Sequence, residues 1–157
     1  MNIYTLNIRT LIIFIVLLGV FWVYLNYRFK HEPIVIIFRW TAFIVSVYII
    51  LEYTVMHREK SDMHVFVFGA EIGRQIFREL FMNTILFLPF GLSAGAVIGL
   101  WCIPIALLMS AGIEAWQYFA GTGLAQGTDV ICNTLGCCIG MVFLWVGKKL
   151  SDITIHR

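Results

Sequence analysis

Long apolar runs, separated by short polar or charged segments, dominate the pattern of the chain. Five runs approach or reach the length of a membrane span: Ile8–Asn26, Ile34–Tyr53, Asn83–Leu100, Pro104–Phe119 and Asp129–Val146. A transmembrane helix needs about 20 predominantly apolar residues, with a range of about 17–25. The pattern therefore predicts an all-α fold. We expect a polytopic membrane helix bundle of about five transmembrane helices, which forms a single membrane domain over residues 1–157.

The longest stretch between spans has an amphipathic pattern from Val65 to Leu80. Its apolar positions recur at helical spacing, namely Val65, Phe68, Ile72, Ile76 and Leu80. Its polar side is supplied by Glu71, Arg74, Gln75, Arg78 and Glu79. Such a pattern is typical of a helix that lies along the membrane interface. We therefore predict an interfacial amphipathic helix here.

Residues 83–119 are predicted to form a helical hairpin. No charged residue occurs between Glu79 and Glu114, and one continuous helix of this length would overrun the bilayer roughly twofold. A tight connection at residues 101–104 divides the run. Pro89, followed by Gly91, predicts a kink in the first limb, because proline removes a backbone hydrogen bond. Asn83 lies near the start of that limb, where it can act as a polar partner or a cap.

The composition supports a chain that lies in a lipid bilayer. Hydrophobic residues make up 61% and charged residues 13%, with a mean hydropathy of +0.89. Soluble domains are about 45–50% apolar and about 25% charged. The net charge of +2 gives no indication of a nucleic-acid partner. Lysines and arginines divide evenly between the two sides, so the positive-inside rule leaves the orientation open.

The cysteines do not form a recognisable metal or redox motif. The four of them, Cys102, Cys132, Cys137 and Cys138, lie in or near apolar segments without a CxxC pair or a zinc-ligand spacing. Free cysteine often behaves as a small hydrophobic residue. We therefore expect buried thiols, with no metal and no cofactor.

Four polar residues at membrane depth form the main candidate site. Glu114 and Gln117 are three residues apart on one predicted helix, and Asp129 and Asn133 are four apart on the next. The short Gly121–Thr128 loop joins the two helices as an antiparallel pair. The four side chains are therefore expected to converge at the loop end of this pair.

Each of these residues also has a structural interpretation. A carboxylate at the bilayer centre costs about 2.5–3.5 kcal/mol on insertion scales, which favours a functional role for Glu114. Asp129 can instead cap its helix, and Asn133 can form an interhelical hydrogen bond. Gly136 and Gly140 form a GxxxG pattern, which is more typical of packing against a neighbouring span than of dimer contact.

Three motifs in order resemble the VanZ-like family of small bacterial membrane proteins. They are Asn83-Thr-Ile-Leu-Phe-Leu-Pro-Phe-Gly91, then Glu114-x-x-Gln117, then Asp129-x-x-x-Asn133-Thr-Leu-Gly136 with Gly140. They define a VanZ-like core over residues 83–140. The resemblance implies a multi-pass protein of the plasma membrane that acts in the cell envelope, with a contribution to teicoplanin or other lipoglycopeptide resistance. Lipid-linked wall precursors or lipoglycopeptides are then the expected partners besides the bilayer.

The residues leave three functional hypotheses open. The first is a non-enzymatic VanZ-like protein with a polar pocket formed by Glu114, Gln117, Asp129, Asn133 and Asn83. The second is an intramembrane enzyme that acts on a lipid-linked substrate, with Glu114 and Asp129 as acid and base. The third is a small transporter that uses the same two carboxylates. No GxSxG, HExxH or P-loop motif supports a more specific catalytic class.

Overall fold

The protein is described by a computed structural model that covers residues 19–22, 24–25, 28–29, 32–56, 60, 64–68 and 74–155, with the backbone alone for 74–79 and 150–155. Residues 19–22 and 24–25 are helical. Most of the first predicted span, Ile8–Asn26, lies outside the described residues. The count of five spans therefore stays a prediction.

The described chain is a helical bundle with two very short strands. In chain order the elements are α1 (Pro33–Leu51), a π-helical turn (Glu52–Met56), β1 (Phe66–Val67), α2 (Arg74–Ile98), a 3-10 turn (Gly99–Trp101), α3 (Cys102–Ala120), β2 (Ala125–Gln126) and α4 (Gly127–Ile155). Three stretches are long and apolar enough to cross a membrane: Pro33–Met56, Leu80–Ala120 and Gly127–Lys149. These features support the predicted all-α membrane bundle.

The hairpin predicted for residues 83–119 is present, with α2 and α3 as its limbs. The chain turns at Gly99, whose φ of 62° lies in the left-handed region that glycine adopts without strain. α3 begins at Cys102, so the 41-residue apolar stretch is two helices joined by a tight turn. Leu100 and Trp101 project from that turn, each with 72% of its surface exposed. Such side chains at a helix end suit a lipid interface.

The most extensive packing between described helices joins α2 and α4. A Cβ atom at Gly136 would overlap the carbonyl oxygen of Thr84, and one at Gly140 would overlap that of Leu88. A Cβ atom at Gly91, on α2, would likewise overlap the carbonyl oxygen of Cys137 on α4. The contact on α2 moves from Thr84 to Leu88 as the position on α4 moves from Gly136 to Gly140, so the two helices run parallel. The GxxxG pattern therefore lies in a backbone-to-backbone contact inside the bundle.

α1 packs on α2 through aromatic rings and a pair of hydroxyl groups. The rings of Phe43 and Phe90 lie 5.8 Å apart between centroids. Ser46 and Ser93 share a hydrogen bond of 3.1 Å between their hydroxyl oxygens. An interhelical hydrogen bond of this kind contributes about 0.6 kcal/mol on average in a membrane bundle. This hydrogen bond fixes the relative position of α1 and α2 at a contact that is otherwise apolar.

α2 continues as a helix through Pro89. The Ser93 hydroxyl donates to the carbonyl oxygen of Pro89 at 2.8 Å, one turn further on. The indole N–H of Trp22 donates to the carbonyl oxygen of Leu92 at 3.3 Å. Polar backbone groups at a proline inside a membrane helix need partners within the protein, and these side chains provide hydrogen bonds nearby.

The separate interfacial helix predicted from Val65 to Leu80 is wrong over its first part. Phe66–Val67 is a strand that pairs in parallel with Ala125–Gln126. The N–H of Ala125 donates to the carbonyl oxygen of Val65 at 3.1 Å. The pairing partner lies about 60 residues away in the sequence, so the local periodicity does not reveal the strand. The remainder is helical from Arg74, but it is continuous with the span that follows.

The α2–α4 contact predicts a strong effect of adding one methyl group at Gly136. Gly136→Ala places a Cβ against backbone that cannot move aside, so the free energy of unfolding is expected to fall by about 1–3 kcal/mol. The measurement is denaturant unfolding in detergent micelles, followed by helical circular dichroism. Gly112→Ala is the matched control, because nothing lies within 4 Å of a Cβ there. Equal stability of the two variants would contradict the packing.

Candidate functional site

A buried polar stripe on α3 forms the centre of the candidate site. Ser110, Glu114 and Gln117 recur at intervals of four and three residues and therefore share one face of the helix. Ser110 is completely buried, and Glu114 and Gln117 are 6% and 2% exposed. Each side chain contacts a different part of the protein.

Glu114 accepts a hydrogen bond from the loop that follows α3. The backbone N–H of Gln126 donates to Oε2 of Glu114 at 2.7 Å. This distance is at the short end of the normal range for an N–H···O hydrogen bond. The bond fixes β2 beside the last turns of α3.

A tight turn at the end of α3 makes that approach possible. Gly121 adopts a left-handed φ of 62°, and its N–H donates to the carbonyl oxygen of Tyr118 at 3.4 Å. The N–H of Thr122 donates to the carbonyl oxygen of Gln117 at 3.1 Å. Together these bonds form a Schellman motif, which ends the helix and reverses the chain. The Gly121–Thr128 loop is therefore a defined turn followed by β2.

Gln117 connects α3 to the end of α1. Its side-chain Nε2 donates to the carbonyl oxygen of Thr54 at 3.1 Å. Thr54 lies in the π-helical turn, and its hydroxyl donates to the carbonyl oxygen of Ile50 at 2.7 Å. The amide of Gln117 therefore satisfies a buried backbone acceptor, which is a structural role.

Asn133 connects α4 to α3. Its Nδ2 donates to the hydroxyl oxygen of Ser110 at 2.8 Å. Its Oδ1 is buried and accepts no hydrogen bond from the described residues, and the same holds for the hydroxyl of Thr128. Buried polar atoms almost always have a partner, so these two oxygens mark the least satisfied part of the α3–α4 contact.

The other two predicted pocket residues occupy different positions. Asp129 is partly buried in the first turn of α4, which begins at Gly127. Asp129 therefore lies inside the helix and not at the capping residue before it. A carboxylate in the first turn still interacts favourably with the helix dipole. Asn83 is partly buried on α2. A single pocket shared by all five predicted residues stays a prediction.

An open groove of about 570 Å³ lies beside Glu114. Its lining consists of Phe66, Phe68, Ala111, Glu114, Ala115, Tyr118, Phe119, Ala125, Gly127, Val130 and Ile131. Among these described residues the only acidic side chain is Glu114, and none is basic. Glu114 is therefore a single carboxylate in an otherwise apolar and aromatic groove, which we call the Glu114 groove.

The segment around β1 forms one wall of this groove. A ring nitrogen, Nδ1, of His64 lies 2.7 Å from the carbonyl oxygen of Tyr118. The two rings also meet edge to face, with centroids 6.0 Å apart. These contacts, with the pairing of β1 and β2, hold Phe66 and Phe68 over the groove.

Comparison with known proteins agrees with this architecture. A family model described as VanZ/LLP1 matches residues 14–148. The chain belongs to the VanZ/LLP1 family. The resemblance inferred from the three sequence motifs is therefore confirmed. Searches of curated proteins and of solved structures found no match.

The VanZ/LLP1 match contains the whole candidate site, including parts that sequence reasoning missed. Ser110 was missed, although its position four residues before Glu114 places it on the same helix face. The acceptor on Thr54 and the donor on Gln126 are backbone groups, for which the sequence carries no signal. Phe66 and Phe68, which form the aromatic wall of the groove, lie in a segment that the sequence pattern predicts to be a helix.

The thiols of this VanZ/LLP1 chain take part in packing. Cys102 and Cys137 are completely buried, and the Cys137 thiol donates to the carbonyl oxygen of Cys102 at 3.5 Å. Within the described part of the chain, no group of three His, Cys, Asp or Glu side chains is placed to hold a metal ion. The predicted burial of these two cysteines is confirmed.

The bond between Glu114 and Gln126 predicts a local change in backbone protection. In Glu114→Ala the Gln126 N–H loses its side-chain acceptor, and a buried donor left unsatisfied costs about 1–3 kcal/mol. Amide exchange of residues 121–127 and 64–68 is expected to become roughly ten- to a hundredfold faster. Hydrogen–deuterium exchange with mass spectrometry tests this. Glu52→Ala, which removes a carboxylate at the end of α1, is the control, and equal protection in both variants would contradict the role of Glu114.

Proposed function

We propose that this protein is a multi-pass component of the bacterial plasma membrane that reduces sensitivity to teicoplanin and related lipoglycopeptides. On this proposal it acts by binding an amphiphile at the Glu114 groove, without a chemical reaction. Family membership supports the envelope setting. The single observation that carries the proposal is a buried carboxylate on the wall of an open apolar groove.

The groove is accessible from the lipid phase. Phe119 and Phe68, on its rim, are 78% and 74% exposed. In a chain with three stretches able to span a membrane, apolar side chains this exposed suit contact with lipid. An amphiphile already inserted in the membrane can therefore reach Glu114 without leaving the bilayer.

The hydrogen bonds of the site favour binding over catalysis. Glu114 accepts from the Gln126 backbone, and Gln117 donates to the Thr54 carbonyl oxygen. These bonds hold side chains in place, whereas an acid–base catalyst must reach a proton of its substrate. The enzyme and transporter alternatives need Asp129 as a second carboxylate, and Asp129 is not among the described residues that line the groove.

The partners on this proposal are the bilayer and an amphiphile of the cell envelope. Two classes have a lipid part that suits the groove, namely lipoglycopeptides and lipid-linked wall precursors. Either would change how the antibiotic meets its target. An apolar groove with one polar group that orients the ligand is the usual composition of a small-molecule site.

The direct test is a susceptibility assay in a sensitive Gram-positive host. Wild type is compared with Glu114→Gln, Asp129→Asn and the control Glu52→Gln, all at equal abundance in the membrane. We expect wild type, Asp129→Asn and Glu52→Gln to raise the inhibitory concentration of teicoplanin several-fold, and Glu114→Gln to lose most of that increase.

Two results of this assay would contradict the proposal. Wild type that leaves teicoplanin sensitivity unchanged would remove the resistance function. Complete loss in both Glu114→Gln and Asp129→Asn would instead favour a two-carboxylate mechanism, as in the enzyme and transporter hypotheses. A glycopeptide without a lipid chain serves as the parallel drug, and its inhibitory concentration is expected to stay unchanged.

A further inference from the structure

We infer that one end of the bundle binds the headgroups of anionic phospholipids through Arg28, Lys148 and Lys149. All three side chains are exposed. We call this surface, at which the apolar stretch Gly127–Lys149 of α4 finishes, the basic end. The inference is independent of the proposed function, because the Glu114 groove lies toward the opposite end of the bundle.

A buried cluster places Arg28 and Lys148 at the same end. Trp22, Leu92 and Leu144 pack together, and the indole N–H of Trp22 donates to the carbonyl oxygen of Leu92. The helices that carry these three residues therefore meet at one level. Arg28 follows Trp22 by six residues, and Lys148 follows Leu144 by four. Each cation thus lies one to two helical turns beyond the cluster.

The start of α1 lies at the basic end as well. α1 begins at Pro33, five residues after Arg28. The π-helical turn that follows α1 contacts Gln117, near the end of α3, so α1 and α3 run in the same direction. α4 runs back beside α3, as the hydrogen bonds between them require. Glu114, in the second half of α3, therefore lies toward the end opposite to Lys148.

Charge is distributed unevenly between the two ends. Residues 27–33 and 147–157, which flank the basic end, contain five Lys or Arg and two Asp or Glu. Residues 52–82 and 114–129, which connect helices at the opposite end, contain four Lys or Arg and seven Asp or Glu. The basic residues are nearly balanced, but the acidic residues are concentrated at one end. The basic end therefore has an excess of positive charge, which attracts an anionic membrane surface.

Two of the cations lie over exposed aromatic rings. The Nζ atom of Lys149 lies 5.4 Å from the ring centroid of Trp145, and the guanidinium carbon of Arg28 lies 5.5 Å from that of Phe29. Both rings are exposed, as side chains at a membrane interface are. A ring attracts a cation without accepting a strong hydrogen bond from it. The N–H donors of both side chains therefore remain for phosphate oxygens.

The apolar surface at this end favours a lipid over a soluble anion. Leu100 and Trp101, in the hairpin turn beside the start of α3, are strongly exposed, and so is Trp145 on α4. A phospholipid offers a phosphate to the cations and its glycerol and acyl region to these side chains. A soluble polyanion offers charge alone. The proposal therefore commits to an anionic phospholipid of the surrounding bilayer.

The test measures how spin-labelled lipids associate with the full chain in phosphatidylcholine vesicles. Electron spin resonance gives the fraction of phosphatidylglycerol or phosphatidylcholine label that is immobilised at the protein surface, and hence the ratio of their association constants. We expect wild type to favour phosphatidylglycerol by roughly fivefold, the scale of one basic side chain near a membrane surface, because the signal averages over all lipid positions around the bundle.

Salt should weaken this preference, because the three cations are exposed. Raising the salt concentration from about 0.01 M to about 1 M shortens the Debye length from about 30 Å to about 3 Å. We expect most of the preference for phosphatidylglycerol to disappear over this range. A preference that is independent of salt would contradict recognition by exposed charges.

A matched pair of triple variants tests the location. Arg28→Gln with Lys148→Gln and Lys149→Gln removes the cations of the basic end and should abolish the preference. Lys60→Gln with Arg74→Gln and Arg78→Gln removes as many basic residues from the opposite end and should leave it unchanged. Circular dichroism establishes that each variant is folded. If the first triple variant is not, the double variant Lys148→Gln with Lys149→Gln replaces it and should lose most of the preference.

Three results would overturn the inference. Equal association of the two labels with wild type would remove the lipid preference itself. A preference that survives in the folded basic-end variant, or that falls equally in both triple variants, would remove the assigned location. Displacement of the phosphatidylglycerol label by soluble glycerol phosphate would indicate a site for free anions and would reject the commitment to a lipid.

Discussion

The close approach of α2 and α4 is the constraint on which the rest of the structure depends. At Gly136 and Gly140 the helix backbones meet without intervening side chains. In lipid the hydrophobic effect does not drive helices together, so van der Waals contact of this kind provides much of the attraction. α4 is thereby fixed in register with α2, and Asn133 donates to Ser110 on α3. The position of Glu114 along the bundle follows from that register.

The polar stripe on α3 ties the bundle to its surroundings through three separate bonds. Ser110 binds α4, Gln117 binds the end of α1, and Glu114 binds the loop before α4. Because lipid offers no hydrogen bonds, each buried polar group must find its partner inside the protein. Most of the stripe is therefore explained by structure. Glu114 differs from the other two because it also lines the edge of a groove.

Much of the helical framework could be predicted from the sequence, because the length of an apolar run is a local signal. The absence of charged residues between Glu79 and Glu114 is another such signal. The hairpin of α2 and α3, the α1 span and the packing role of Gly136 were all accessible in this way. The strand at Phe66 was not, since its partner at Ala125 is distant and both strands have two residues. The convergence of the four polar residues in one pocket stays a prediction. Gln117 donates to the backbone of Thr54, a partner that no side-chain pattern identifies.

The Glu114 carboxyl group is held by the Gln126 backbone at the edge of a membrane-facing groove. Solid-state NMR of the protein in bilayers tests this contact most directly, with ¹³C in the glutamate carboxyl groups and ¹⁵N in the glutamine backbone. We expect a dipolar coupling between Glu114 and Gln126 that fits the 2.7 Å N–O distance. The absence of a coupling between these two residues would contradict this contact.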